Sequence, residues 1–380
     1  MKVVVAIDSF KGSLTSIEGG NAVADGIKRV YPDAEIFVRP IADGGEGTVD
    51  ALVEGMGGIR QGLTVTGPLG ESVECEYGII AEDSLAVIEM SAAAGITLVP
   101  DEKRNPLNTT TYGVGEIIKD AISRGCRKFI VGIGGSATND GGIGMLQALG
   151  FGVLDKNGEQ VSFGAKGIAD ICSISTVNVL PELSECTFNV ACDVKNPLCG
   201  EKGCSAVYGP QKGADKVMIA QMDTWLESFA DLAKKSFPHS DKNAEGAGAA
   251  GGLGFAFLTF LGGNLIGGIE LVLKETKLDE YVKDADIVIT GEGRLDFQTV
   301  MGKAPSGVAN IAKKHGKSVI AFSGAVTKEA TVCNEHGIDA FFPILRRVCT
   351  LQEAMATDNA YANMADTAEQ VFRTIKTFSK

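Results

Sequence analysis

The sequence predicts an α/β fold: a doubly wound parallel sheet interrupted by an inserted α/β domain with a mixed sheet. Three observations predict it. Apolar, β-branched runs alternate with helix-periodic segments at both ends of the chain. Between them, from about residue 63, the pattern changes to alternation punctuated by turns. Glycine-rich polar tips follow several of the apolar runs, and in open parallel sheets ligands bind at such carboxyl ends.

Taken in order, Lys2 to Ile7 is an apolar strand of the kind buried on both faces, ending in Asp8-Ser-Phe-Lys-Gly-Ser13. A helix is expected from Ser16 to Val30, with Ile17, Val23, Ile27 and Val30 at helical spacing. A second strand, Glu35 to Pro40, runs into Ile41-Ala-Asp-Gly-Gly-Glu-Gly-Thr48, where another helix begins. Leu63 to Tyr77 alternates around Gly-Pro-Leu-Gly and reads as a hairpin. Strands follow at Leu85 to Met90 and Lys128 to Ile133, with a helix before the second from about Ile117 to Gly125. A further apolar strand ends at Asp193, and Ala214 to Lys235 reads as a helix. At Asp284 the opening pattern returns: strand Ala285 to Thr290 with the tip Gly291-Glu-Gly-Arg-Leu-Asp-Phe-Gln-Thr299, helix Pro305 to His315, strand Ser318 to Phe322, a short strand Phe341 to Ile344, and a closing helix Asp358 to Thr377. These units rejoin the first sheet. The expected domains are 1–64 plus 284–380, and 65–283, with a cleft gathering the glycine-rich tips.

Composition narrows the function. Of 380 residues, 49 are glycine, roughly twice the usual share, and they cluster where backbone must approach a ligand. The net charge of −13 and the absence of a long basic run disfavour nucleic acid and anionic membranes as partners. Nine scattered cysteines with no CxxC pair, and a start that reads as a strand, point to reduced thiols in a cytoplasm. Three histidines offer no Ser/His or Cys/His set; His315 and His336 read as helix-terminal residues, so a general base falls to a carboxylate. Gly246 to Ile269 is uncharged, but its glycines fit a buried soluble helix better than a span. Its Gly246–Gly254 run reads equally as a backbone cradle or as close helix packing.

The centre of the pattern is Gly132-Ile-Gly-Gly-Ser-Ala-Thr-Asn-Asp-Gly-Gly142, between an apolar strand and a helix-like segment. Such a loop can present N–H groups and hydroxyls to an anion. The polar tips together hold the carboxylates Asp8, Asp43, Glu46, Asp140, Asp193, Glu292 and Asp296 and the cations Lys11, Lys212, Arg294 and Lys303. Phosphoryl transfer uses this mixture: backbone and cations hold phosphate, carboxylates hold Mg²⁺, and one carboxylate takes the acceptor proton. Neither a GxxxxGK[ST] loop nor a GxGxxG after the first strand is present, which disfavours P-loop and standard nicotinamide sites.

Seven ordered motifs carry a resemblance. They are Asp8-Ser-Phe-Lys-Gly-Ser-Leu14, Pro40-Ile-Ala-Asp-Gly-Gly-Glu-Gly-Thr48, Gly134-Gly-Ser-Ala-Thr-Asn-Asp-Gly-Gly142, Cys192-Asp-Val-Lys-Asn-Pro-Leu198, Gly209-Pro-Gln-Lys-Gly213, Gly246-Ala-Gly-Ala-Ala-Gly-Gly252 and Gly291-Glu-Gly-Arg-Leu-Asp-Phe-Gln-Thr299. With them the chain resembles the bacterial type I glycerate kinases across essentially its whole length. The resemblance implies transfer of the ATP γ-phosphate to D-glycerate with Mg²⁺, generally at the 2-position. It also implies two α/β domains, one flavodoxin-like, with the active site between them. It leaves the 3-phosphate product and the oligomeric state open; a homo-oligomer is compatible. A dehydrogenase on a doubly wound fold, or a nucleotide-binding regulator, are the readings from other classes.

Residue roles rest on the chemistry of the side chains. Gly134, Gly135, Ser136, Thr138, Asn139, Asp140 and Lys212 are expected to hold nucleotide phosphates. Asp8, Ser9, Lys11, Arg294 and Gln298 are expected at the substrate; the Arg294 fork suits planar anions. Asp43, Glu292 and Asp296 are the Mg²⁺ candidates. Asp193 is the candidate base, with Lys11 and Arg294 assisting; Asp43 or Asp296 are alternatives.

Overall fold

The computed structural model describes residues 1–42 and 47–378. Asp43 and Glu46 therefore lie outside the described residues. Two compact units emerge: Met1–Gly57 with Ile269–Lys380, and Gly58–Gly268. Both boundaries differ from the sequence expectation. The hairpin already starts at Ile59, and the segment 269–283 folds as helices that belong to the first unit.

In chain order the strands are β1 (Lys2–Ile7), β2 (Glu35–Val38), β3 (Ile59–Thr66), β4 (Ser72–Ile80), β5 (Leu85–Glu89), β6 (Lys128–Gly132), β7 (Gly152–Leu154), β8 (Ser173–Ser175), β9 (Thr187–Ala191), β10 (Asn264–Ile266), β11 (Ile287–Leu295), β12 (Ser318–Val326) and β13 (Ala340–Pro343).

The first unit holds a parallel sheet in the order β2-β1-β11-β12-β13. Counted along that unit alone, this is the 2-1-3-4-5 order of flavodoxin-like sheets, whose ligand position is the switch between the first and third strands, here β1 and β11. Val3, Val4, Val5 and Ala6 are wholly buried, as a central parallel strand requires. The helix Ser16–Lys28 starts on a capping box: the Thr15 hydroxyl accepts from the Glu18 N–H, and the Glu18 carboxylate accepts from the Thr15 N–H. Gly26 lets this helix touch the closing helix Thr357–Phe378, because a Cβ there would stand 2.2 Å from the Ala365 carbonyl oxygen.

One difference matters for the site. The expected strand over 285–290 runs on as β11 to Leu295, so the tip 291–295 is itself sheet. The reason is β12, which extends equally far and pairs Glu292 with Ser323, Arg294 with Ala325 and Leu295 with Val326. The carboxylate and the guanidinium are thereby mounted on paired strand.

The second unit is built on a mixed sheet in the order β3-β4-β5-β6-β9-β10. The β3/β4 hairpin and the β4/β5 pair are antiparallel; β5, β6, β9 and β10 run parallel. Phe129 on β6 stacks on Phe188 of β9, which meets Phe257 of the helix Ala249–Phe260. The separate β7/β8 pair had no clear sequence signal. That last helix is the uncharged stretch, and no described helix is long and apolar enough to cross a membrane.

Candidate active site

In the first unit the site grows from the carboxyl ends of β1 and β11. The Asp8 N–H donates to the Gly291 carbonyl at 2.9 Å, which sets Asp8 beside the β11 tip. Its own Oδ1 accepts the Ser9 N–H at 2.7 Å. Residues 10–14 then close on themselves, with the Phe10 N–H donating to Leu14 and the Leu14 N–H to Phe10, so Lys11 stands exposed at the head of a tight turn.

On the β11 side, Glu292 is 7% exposed. Its Oε1 accepts the Thr299 hydroxyl at 2.6 Å and its Oε2 faces Lys303 Nζ at 3.5 Å. Burial pushes its pKa above the ordinary value, against the pull of Thr299 and Lys303. Asp296, 9% exposed, accepts the Gln298 N–H at 2.8 Å and pairs with Arg294 Nε at 3.5 Å. Ser323 holds the tip together, accepting from the Leu295 N–H and donating to the Ala325 carbonyl.

Asp8, Ser9, Lys11, Glu292, Arg294, Asp296, Gln298 and Lys303 all line one cavity of about 560 Å³. The structure thus brings together every described sequence candidate of this unit. It adds Lys303, read from the sequence only as one of several cations, and an apolar wall from residues 344–355 that no sequence motif marked.

The fit of a Mg²⁺ ion can be judged from the donors. The described residues contain no group of three metal-ligating side chains. Mg²⁺ asks for less, since it keeps waters and takes one or two carboxylates with the phosphates of its substrate. Glu292 and Asp296 supply two carboxylates on one cavity, and the raised pKa of Glu292 marks a buried oxygen that a cation would stabilise as the anion. The residues fit such an ion.

In the second unit the loop after β6 divides into an outer and an inner part. Gly134 and Gly135 are exposed, and Ser136 lies at the edge. Thr138, Asn139 and Asp140 are wholly buried. Asp140 accepts the Thr111 N–H and hydroxyl at 2.9 Å each and the Gly142 N–H at 3.0 Å. Its work is to join two helix starts, not to face a ligand, and the helix it caps, Ile143–Ala148, is short. Asn139 donates to the Ser205 hydroxyl. The expectation that Thr138, Asn139 and Asp140 touch a nucleotide therefore meets a loop that turns these three inward.

Lys212 is also buried, 2% exposed, yet it reaches the loop edge. Its Nζ donates to Ser136 Oγ at 2.7 Å and to the Thr138 carbonyl at 2.6 Å. Burial lowers its pKa to about 8. Gly213 makes this entry possible: it has φ +92°, and a Cβ there would stand 2.1 Å from the Arg104 carbonyl oxygen. An ammonium only donates, so the Ser136 proton must point elsewhere, and no described residue accepts it. The glycine run 246–254 packs against the same loop: the Gly141 N–H donates to the Gly251 carbonyl, and a Cβ on Gly251 would stand 2.1 Å from the Thr138 carbonyl oxygen. Of its two readings, close packing is the one the structure displays.

Asp193 follows β9 on the same sheet and is exposed; its Oδ1 accepts the Gly268 N–H at 2.8 Å. Because β6 and β9 are parallel, Asp193 and the Gly134–Ser136 edge leave the sheet at the same end. The histidines are occupied otherwise. His315 follows the helix Ala304–Lys314 and meets Asp279 at 3.0 Å, and His336 contacts the Val332 carbonyl.

Comparison with known proteins agrees with this architecture. A sequence model described as the glycerate kinase family matches residues 3–376. A glycerate kinase of Haemophilus influenzae is 48% identical over 375 residues, covering 99% of each chain. A glycerate 2-kinase of Escherichia coli is 46% identical, covering 99% of this chain and 98% of its own. A crystal structure of a protein assigned as glycerate kinase 2 from Salmonella typhimurium LT2 superposes with a TM-score of 0.92 at 45% identity, covering 99% of this chain and 98% of that one. The match spans both sheets and every motif of the site, and the chain belongs to the glycerate kinase family of phosphate-transferring enzymes.

Proposed function

We propose that this chain transfers the γ-phosphate of ATP to D-glycerate and forms 2-phosphoglycerate, with Mg²⁺ as cofactor. The observation that carries the reading is the β1/β11 cavity, where carboxylates and cations alternate on paired strand ends. The 2-position follows the name of the Escherichia coli relative.

Glu292 and Asp296 would hold Mg²⁺, which when bound neutralises phosphate charge. Lys11, Arg294 and Lys303 offer donors for anionic oxygens, Arg294 as a planar fork. Asp193 takes the proton of the attacking hydroxyl while the bond between the γ-phosphorus and the β,γ-bridging oxygen breaks. The new phosphorus–oxygen bond forms on glycerate and ADP leaves. Ser136, which accepts from Lys212 and keeps its own proton, donates to an anionic oxygen of the acceptor.

The test is ADP release coupled to a reporter, with D-glycerate and ATP·Mg²⁺, followed by phosphorus NMR of the product. A 2-phosphate resonance supports the proposal. A 3-phosphate corrects the position, and nucleotide binding without ADP release overturns the reading.

A further inference from the structure

The cavity at β1 and β11 is larger and more divided than glycerate needs. Its volume of about 560 Å³ lies in the range of roughly 300–1,000 Å³ that buries drug-sized ligands. Glycerate is a three-carbon acid with a polar group on every carbon. Such a ligand has no use for an apolar wall, yet Ile344, Leu345, Leu351 and Met355 form one.

That wall is tied to the phosphate-type donors. A Cβ on Gly12 would stand 3.2 Å from the Met355 methyl, so the wall packs on the turn that presents Lys11. Leu351 and Leu345 keep 75% and 42% of their surface exposed, and burying such side chains is favourable. The cavity therefore offers cations and carboxylates at one part and an uncovered apolar surface at another. It also sits at the switch point where sheets of this strand order take nucleotides.

From these features we infer that the adenine nucleotide binds in this cavity of the first unit. Its phosphates lie toward Lys11, Arg294 and Lys303, and its base lies on Leu345, Leu351 and Met355. This reverses the sequence expectation that the Gly134–Gly142 loop holds the nucleotide. It rests on the kinase reading above and leaves the acceptor to the outward edge of that loop, Gly134 to Ser136, with Asp193.

The experiment is equilibrium titration of the full chain with ADP·Mg²⁺, tripolyphosphate·Mg²⁺ and D-glycerate, each alone, for the wild type and for Leu351→Asn and Leu345→Asn/Leu351→Asn. Both changes are neutral, and both sites are solvent-facing, so the fold should survive; melting curves check this. Loss of the base contact should weaken ADP about 10-fold in the single variant and more in the double. Tripolyphosphate, which has no base, and D-glycerate should bind within twofold of wild type. Unchanged ADP affinity, or an equal loss for tripolyphosphate, overturns the proposal, as does weakening confined to D-glycerate. Because no turnover is measured, failure of the glycerate assignment in the ADP-release assay would leave this result readable by itself.

Discussion

Lys212→Met separates a structural from a functional role for the buried ammonium. The change removes two donated bonds, to Ser136 Oγ at 2.7 Å and to the Thr138 carbonyl at 2.6 Å. Bonds of this charged kind are worth about 1.5–3 kcal/mol each, about 3–6 kcal/mol together. Against that stands the cost of burying the charge. Burial brings the pKa from 10.5 down to about 8, which at about 1.4 kcal/mol per tenfold corresponds to about 3 kcal/mol that methionine does not incur. The two largely offset, so the variant should melt only a few degrees lower. Activity should respond more. Without the ammonium that fixes its oxygen, the Ser136 hydroxyl loses a charge-assisted bond to the ligand, and kcat/KM should fall roughly 10- to 100-fold. Ser136→Ala should lose a similar factor, and the double variant no more than the worse single, since both act through one bond. A double variant that loses the product of the two factors refutes the reasoning. So does Lys212→Met that folds and keeps kcat/KM within threefold. The pH dependence supplies a second check. The folded pKa is depressed, so the stability linked to this group rises as pH climbs through about 8 and is fully present above the unfolded value of 10.5. Over the same window the ammonium beside Ser136 is lost, so wild-type kcat/KM should fall above pH about 8 while the fold gains stability. Lys212→Met should lack both trends.

Other substitutions test the remaining roles. Asp193→Asn should reduce kcat by about 100-fold or more with KM values little changed, as expected for a lost general base; near-normal turnover removes Asp193 from that role. Arg294→Lys keeps the charge but loses the fork, and should raise the KM for ATP about 10-fold with kcat less affected; an unmoved KM takes Arg294 out of the site. Gly251→Val places a Cβ 2.1 Å from the Thr138 carbonyl oxygen at φ +66°, so it should cost about 3 kcal/mol or more, read as a melting point lower by at least several degrees. A variant as stable as wild type would show that the 138–141 loop yields where the packing says it cannot.

The fold was legible where a single physical signal decides. Val3 to Ile7, a β-branched apolar run, reads as a strand buried on both faces, and the recurrence of that pattern at Ile287 returns the chain to the same sheet, beside β1. The hairpin over β3 and β4 followed from alternation around one turn. The end of β11 was not legible: the glycines at 291 and 293 look like a tip, and only the equal length of β12 makes them strand. The site shows the same division. A polar residue in a glycine loop can cap a helix or meet a ligand with identical chemistry, so Ser136 and Asp140 carry equal weight in sequence. What separates them is a partner 29 residues upstream, Thr111, which engages the Asp140 carboxylate, and one 76 residues downstream, Lys212, which donates to Ser136 and leaves its proton without an acceptor among the described residues. The apolar wall had no motif, because Leu345 and Leu351 acquire meaning only beside the turn that carries Lys11. Lys212 itself had a readable signal. A lysine between Pro-Gln and a glycine that tolerates φ +92° is placed by its backbone, and a long cation held that firmly in an acidic chain has a fixed partner. Its partner in the fold is the one serine of the loop that still has a proton to give.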